Sequence, residues 1–360
     1  MKESDIAYYP DCRHFRGDIP CKPHKETGVH CEACPYYDAV KGIILIIKLG
    51  AIGDVIRTTP LLLRIRKEYP DYSVWWLTYS PEVLPQSEID SILNFNLESI
   101  LILGATEFSK LINLDKDPQA CALTKILSAK EKFGFTLSDS KPAPVNTKAE
   151  HKFLTGIFDD VNKNNTKTYL DEIFEICGWS FQSEEYLINK GGGCNWSINS
   201  NGKKIVGLNT GCGGRWITRL WKEDNWTALI NLLQEKGYYP LLLGGEQEHE
   251  KNLRLASVTN ALYLGHYPLQ KFISLVDQCD IVITAVTMAL HIAIALKKQV
   301  ILFNNIFNPN EFEMYGRGVI IQPDKPCTCF FSPICKNKEY FCMDYLSPQK
   351  VLEEIISLKY

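Results

Sequence analysis

What the chain lacks narrows the possibilities before any motif is read. It has no uninterrupted apolar run near the roughly 20 residues that a membrane helix needs. The nearest, Ile281 to Leu296, is broken by Thr284, Thr287 and His291 and runs into Lys297 and Lys298. It reads better as a buried strand followed by a buried helix. The start, Met1-Lys2-Glu3-Ser4-Asp5, lacks the basic start and apolar stretch of a secretory signal. A cytoplasmic protein is therefore expected, with at most peripheral contact at the inner membrane face. There is no basic surplus either. The formal net charge is −3, which argues against nucleic acid as a partner. Neither a Gly-Lys-Ser/Thr phosphate loop nor a Gly-x-Gly-x-x-Gly dinucleotide fingerprint occurs.

What is present is an ordinary globular balance of 45% hydrophobic and 22% charged residues. This excludes wholesale disorder, a collagen-like repeat and a coiled coil. A length of 360 residues favours two domains, since one core usually serves about 100–200 residues. Residues 1–41 have poor periodicity and read as an irregular cap. Residues 42–188 open on Ile43-Ile44-Leu45-Ile46-Ile47, the pattern of a parallel strand buried on both faces. Thr59-Pro60 then starts a helix over Leu61 to Tyr69, and strands are expected at Val74 to Tyr79 and Ser99 to Leu103. Residues 189–203, with Gly191-Gly192-Gly193, form the linker. Strand and helix patterns alternate again over 204–345, and 346–360 contains a closing helix. Such alternation requires parallel sheets with right-handed crossovers, hence an α/β chain of two Rossmann-like domains facing a cleft.

Thirteen cysteines are many for a reducing compartment, and eight fall in two clusters. Cys12, Cys21, Cys31 and Cys34 follow the spacing C-x8-C-x9-C-x2-C, in which only the last pair has knuckle spacing. A cap with so few apolar residues needs a staple, and a structural zinc is expected there, with iron the other candidate. Cys327, Cys329, Cys335 and Cys342 form a second candidate cluster without a C-x2-C pair. A closed four-thiolate site would be structural, not catalytic.

Two turns carry chemistry. After the first strand, Gly50-Ala51-Ile52-Gly53 leads directly into Asp54. A carboxylate there would repel a pyrophosphate but suits a general base acting on a neutral hydroxyl; the bland reading is an ordinary acid in a first helical turn. After the strand at 204–209, the loop Thr210-Gly211-Cys212-Gly213-Gly214-Arg215 is followed by Arg219. Glycines let backbone N–H groups approach an oxyanion and arginines add forked charge, so a diphosphate is the natural guest.

In this order and spacing, ILIIKLGAIGDVIRTTP (Ile44–Pro60), GLNTGCGGRWITRLW (Gly207–Trp221), LLLGGE (Leu241–Glu246) and ITAVTMALHIAIAL (Ile283–Leu296) resemble glycosyltransferase family 9, the ADP-heptose:lipopolysaccharide heptosyltransferases. The resemblance implies a GT-B fold and inverting transfer of a sugar, heptose in the family, from an ADP-sugar donor without a catalytic cofactor or metal. Asp54 then matches the proposed general base, Arg219 a basic residue near the donor phosphates, and Glu246 the ribose-binding acid. Thr287 and His291 match the Thr and His of an Asp-Thr-Gly-x-x-His stretch, where this chain has Val286 for the aspartate and Met288 for the glycine. The acceptor would be a glycan, a lipid-linked sugar or a protein hydroxyl. Two other readings compete. A non-catalytic sugar-nucleotide or glycan-binding scaffold would explain Val286 and Met288, and an iron–sulfur oxidoreductase would use the cysteines.

Overall fold

The computed structural model describes residues 6–192 and 194–358, so Met1–Asp5, Gly193 of the linker and the last two residues lie outside the description. The chain forms two compact units, Met1–Leu49 with Leu61–Pro81 and Pro85–Asn146, and Gly50–Pro60 with Glu82–Leu84 and Thr147–Tyr360.

In the first unit β1 (Gly42–Ile47) is the central strand, and Ile44 to Ile47 have no solvent exposure. Leucine and β-branched side chains on both faces suit only a strand covered on both sides. With β2 (Tyr72–Thr78), β3 (Ser91–Asn94), β4 (Phe108–Asn113), β5 (Ala129–Ser138) and β6 (Lys141–Pro144) it makes a sheet of order β3-β2-β1-β4-β5-β6. All neighbours are parallel except the β5–β6 hairpin. The strand expected at Ser99 to Leu103 is instead part of a helix, Leu97–Gly104. Asn96 caps it by accepting the Ser99 N–H at 2.9 Å, and Ser99 and Leu103, one helical turn apart, are its buried residues. A short continuous apolar run does not by itself distinguish strand from helix, and here the Asn96 cap decides.

Among its described residues the cap holds a short helix, Lys22–Thr27, a single turn, Cys31–Ala33, and one antiparallel bridge between Cys12 and Ala39. Arg13 fastens it to the sheet. It pairs with Asp38 at 2.7 Å and Asp90 at 2.9 Å, and donates to the carbonyls of Tyr72 and Pro70.

The second unit is built on a fully parallel sheet. Its strands are β7 (Ile205–Asn209), β8 (Tyr239–Leu243), β9 (Leu262–Tyr263), β10 (Ile281–Ala285), β11 (Gln299–Phe303) and β12 (Gly318–Ile321), in the order β12-β11-β10-β7-β8-β9. Trp221, Trp226 and Phe303 meet edge-on or tilted in its core. The helix after β10, Met288–Ala295, is apolar around its whole circumference, and every residue from Ala289 onward is buried. It packs on β10 and β11 and also against a short helix, Ile52–Ile56, which follows β1 in sequence but belongs to this unit. The closing helix is Pro348–Ser357.

At the carboxyl end of β1, Lys48 is ion-paired with Asp115, whose second oxygen accepts the Leu49 N–H; both side chains are almost fully buried. Removing one partner of such a pair leaves the other charged and desolvated. Asp115→Ala should therefore cost about 3–5 kcal/mol, read as a lower urea midpoint, with Asp115→Asn costing less. An unchanged midpoint in the alanine variant would mean that the Lys48 ammonium finds water.

Candidate functional site

In open α/β sheets, side chains for binding gather on the loops at the carboxyl ends of the strands. The second unit follows this rule. A cavity of about 600 Å³ is lined by Arg215, Trp216 and Arg219 after β7, by Val286, Thr287, Met288 and His291 after β10, and by Phe307, Glu311 and Phe312 after β11. Ala51 to Asp54 and Arg57 complete the wall, with Phe331 at the rim.

Asp54 sits in the first turn of the Ile52–Ile56 helix, about one-third exposed. Its Oδ1 lies 2.9 Å from Nη2 of Arg57, whose Nη1 donates to Glu311 Oε1 at 3.1 Å. The Arg57 guanidinium also stacks 3.6 Å above the Tyr169 ring. Burial opposes its charge, but Asp54 and Glu311 raise its pKa above the ordinary arginine value.

Arg219 contrasts with this. It is only 5% exposed and donates to the carbonyl of Cys212 at 2.7 Å, yet no carboxylate pairs with it among the described residues. Burial lowers its pKa to about 10, so at neutral pH it remains a cation. A desolvated guanidinium without a counter-charge is one that an anion could compensate. Exposed Arg215 lies 5.1 Å from the centre of the Trp216 ring.

His291 is buried on the cavity wall, 5% exposed. Its ring stacks on Tyr186 with centroids 6.2 Å apart, and burial, with Arg57 nearby, pushes its pKa down to about 3. It is a neutral imidazole whose Nδ1 has no hydrogen-bond partner among the described residues. Thr287 caps the Met288–Ala295 helix, accepting the Ala289 N–H at 3.2 Å and lying 2.9 Å from the Thr284 hydroxyl.

Of the residues singled out from sequence, the cavity gathers Asp54, Arg215, Arg219, Thr287 and His291. Four others lie off its wall. Thr210 is buried and donates to Asn252 at 2.7 Å, Gly213 and Gly214 are exposed in the loop before Arg215, and Glu246 is exposed in a single turn after β8. Sequence reasoning missed Arg57, Glu311 and the aromatic group Trp216, Phe307 and Phe331, whose centroids lie 5.4–5.6 Å apart. Arg57 was findable, one helical turn after Asp54. Phe331 carries a mark that only coordinates reveal, a φ of 46° in a bulky residue.

Among the described residues no group of three or more His, Cys, Asp or Glu side chains is arranged to hold a metal ion. Cys12, Cys21, Cys31 and Cys34 do line one small cavity of about 20 Å³ together with His14. In the second cluster the sulfurs of Cys329 and Cys335 are 3.7 Å apart. Backbone N–H groups of Cys329 and Lys336 point at the sulfurs of Cys327 and Cys329, at 3.4 and 3.0 Å.

Comparison with known proteins bears on the family and the fold. Over 160 residues the chain is 26% identical to lipopolysaccharide heptosyltransferase 1 of Pseudomonas aeruginosa, a match spanning 40% of this chain and only 45% of that enzyme. It is 24% identical over 250 residues to lipooligosaccharide heptosyltransferase 2 of Campylobacter jejuni, covering 65% and 70% of the two chains. In structure it is similar to a family 9 glycosyl transferase of Veillonella parvula, with TM-score 0.68, 16% identity and coverage of 89% and 97%. An Escherichia coli heptosyltransferase with ADP-2-deoxy-2-fluoro heptose is similar at TM-score 0.60 and 14% identity, covering 87% of this chain and 99% of that one. These likenesses fit a GT-B fold of two parallel-sheet domains. The family described as glycosyltransferase family 9 (heptosyltransferase) matches residues 102–340, more than half of the sequence, and the chain belongs to it.

Proposed function

We propose that the protein transfers a sugar, heptose, with inversion from ADP-heptose to the hydroxyl of a lipopolysaccharide-type acceptor on the cytoplasmic side of a membrane. The observation that carries this reading is one cavity holding both a part-exposed carboxylate, Asp54, and a buried guanidinium without a carboxylate, Arg219. The Asp54 carboxylate takes the acceptor proton while the acceptor oxygen bonds to the anomeric carbon. The bond from that carbon to the donor phosphate breaks, and its electron pair leaves on ADP. Arg219 and Arg215, with backbone N–H groups of the Gly213-Gly214 loop, neutralise the departing diphosphate; preorganised charge of this kind is usually the largest catalytic term. Thr287 and His291 shape the donor end of the pocket, and Glu246 is assigned to the ribose. Residues 42–188 are read as the acceptor domain and 204–345 as the donor domain. The E. coli neighbour carrying an ADP-heptose analogue supports the choice of donor.

The same reading gives residues 1–41 a structural zinc, or iron, on Cys12, Cys21, Cys31 and Cys34. Their common cavity has room for about one water-sized occupant. Cys327, Cys329, Cys335 and Cys342 are the second candidate set, supported by the N–H groups aimed at their sulfurs. Bound there, a metal would act as a cross-link between loops.

Three outcomes follow. With ADP-heptose and heptose-deficient lipopolysaccharide, Asp54→Asn should lower ADP release by about 10²–10⁴-fold while ADP affinity stays within a few fold. ADP binding without any turnover in the wild type would instead favour the non-catalytic scaffold. Arg219→Ala should weaken ADP binding by about 1.5–3 kcal/mol, measured by calorimetry; unchanged affinity removes Arg219 from the phosphate site. Cys31→Ser should lower both metal content and melting temperature, because metal binding in so small a module is largely folding energy. Wild-type protein that elemental analysis finds metal-free, with the cap thiols titrating freely, overturns the zinc assignment.

A further inference from the structure

Arg57 is the residue of the cavity whose surroundings are most completely specified, and the transfer chemistry above gives it no part. Its two terminal nitrogens go to two different carboxylates, Asp54 three residues away and Glu311 254 residues away, while the Tyr169 ring covers one face of the guanidinium. Its side chain is 13% exposed. A guanidinium held on three sides cannot follow Asp54 if that carboxylate turns; the carboxylate must follow the guanidinium. A single arginine would hold Asp54 ionised but weaken it as a base. Glu311 draws on the same positive charge, so the three groups together carry one net negative charge.

We infer that Arg57 is a positioning residue for the transfer reaction, fixing the orientation and ionisation of the Asp54 carboxylate, and that Glu311 sets how strongly it does so. This rests on the reading of Asp54 as the general base. Arg57 gives up no proton and stays a guanidinium throughout. Groups facing this cluster include His291, which is neutral, the phenols of Tyr169 and Tyr186, Lys152, whose ammonium lies 4.7 Å from the centre of the Tyr169 ring and is paired with Glu172, and, elsewhere on the same cavity wall, Arg215 and Arg219. Glu313 lies beyond Tyr186 and acts on it.

The signs can be worked out. An opposite charge beside a carboxylate lowers its pKa, so removing Arg57 raises that of Asp54, and activity is lost earlier as pH falls. Removing the Glu311 charge leaves Arg57 to act on Asp54 alone, so the Asp54 pKa falls and the acid limb of activity moves to lower pH. A purely structural ion pair would shift the Asp54 pKa in the same two directions but would leave the acid limb of activity where it is.

The test uses full-length protein with carbon-13 in the aspartate carboxyl groups, the Asp54 signal being assigned by its loss in Asp54→Asn. Arg57→Met should raise the Asp54 pKa by roughly 1–3 pH units, Glu311→Gln should lower it, and Arg57→Lys should restore most of the wild-type value. With ADP-heptose and heptose-deficient lipopolysaccharide, kcat should fall in Arg57→Met with the donor KM little changed. An Asp54 pKa that does not move in any folded variant overturns the inference. So does a raised donor KM at unchanged kcat, which would make Arg57 a donor ligand. If Arg57→Met does not fold, Arg57→Lys and Glu311→Gln still decide. Full turnover by Asp54→Asn would instead overturn the general-base reading, leaving any titration shift as a separate observation.

Discussion

The site depends on one absent side chain. A Cβ at Gly53 would lie 2.7 Å from Cδ2 of His291 and 3.5 Å from the Met288 Cα, so the Ile52–Ile56 helix reaches its seat against the helix after β10 only because residue 53 is glycine. The reason is close approach and not an unusual backbone angle. Everything Asp54 and Arg57 do follows from that seat. It brings a turn that leaves β1 to the loops that leave β7, β10 and β11. The same approach sets the Ile52–Ile56 helix directly against the buried His291 imidazole.

Charge in the cavity is sorted. Asp54 and Glu311 are both committed to Arg57, whereas Arg219 has a carbonyl and no carboxylate. Desolvated charge is costly unless compensated, and the two halves are compensated differently. One carries its compensation within itself, a single guanidinium shared by two carboxylates. The other has only backbone carbonyl partners among the described residues.

Most of the architecture was legible because parallel strands buried on both faces are written as short β-branched runs. Ile43–Ile47 and Ile281–Thr284 fall within observed strands, and the glycine and proline signals around 50–60 marked the turn and the helix start. Ser99 to Leu103 misled because β-branched residues also occur in helices, and the cap at Asn96 outweighed them. Of the site, the members on strand-end turns could be read, since turn chemistry is local. Glu311 could not: its partner is 254 residues away, and no pattern joins the two. Nor could the displacement of Thr210 from the cavity wall, because its hydroxyl is bound to Asn252, on a helix whose facing only packing decides.

The division of the chain has a consequence for how such a protein can be rebuilt. The backbone changes unit after Leu49, Pro60, Pro81, Leu84 and Asn146. Neither unit is therefore a continuous stretch of gene. A chimera joined at a single point in the linker would take its second sheet from one parent and the Asp54 turn from the other. The glycine that fits one partner's histidine would then face a surface it was never selected against. Exchange of the second unit between relatives has to carry its three segments, Gly50–Pro60, Glu82–Leu84 and Thr147–Tyr360, inherited together.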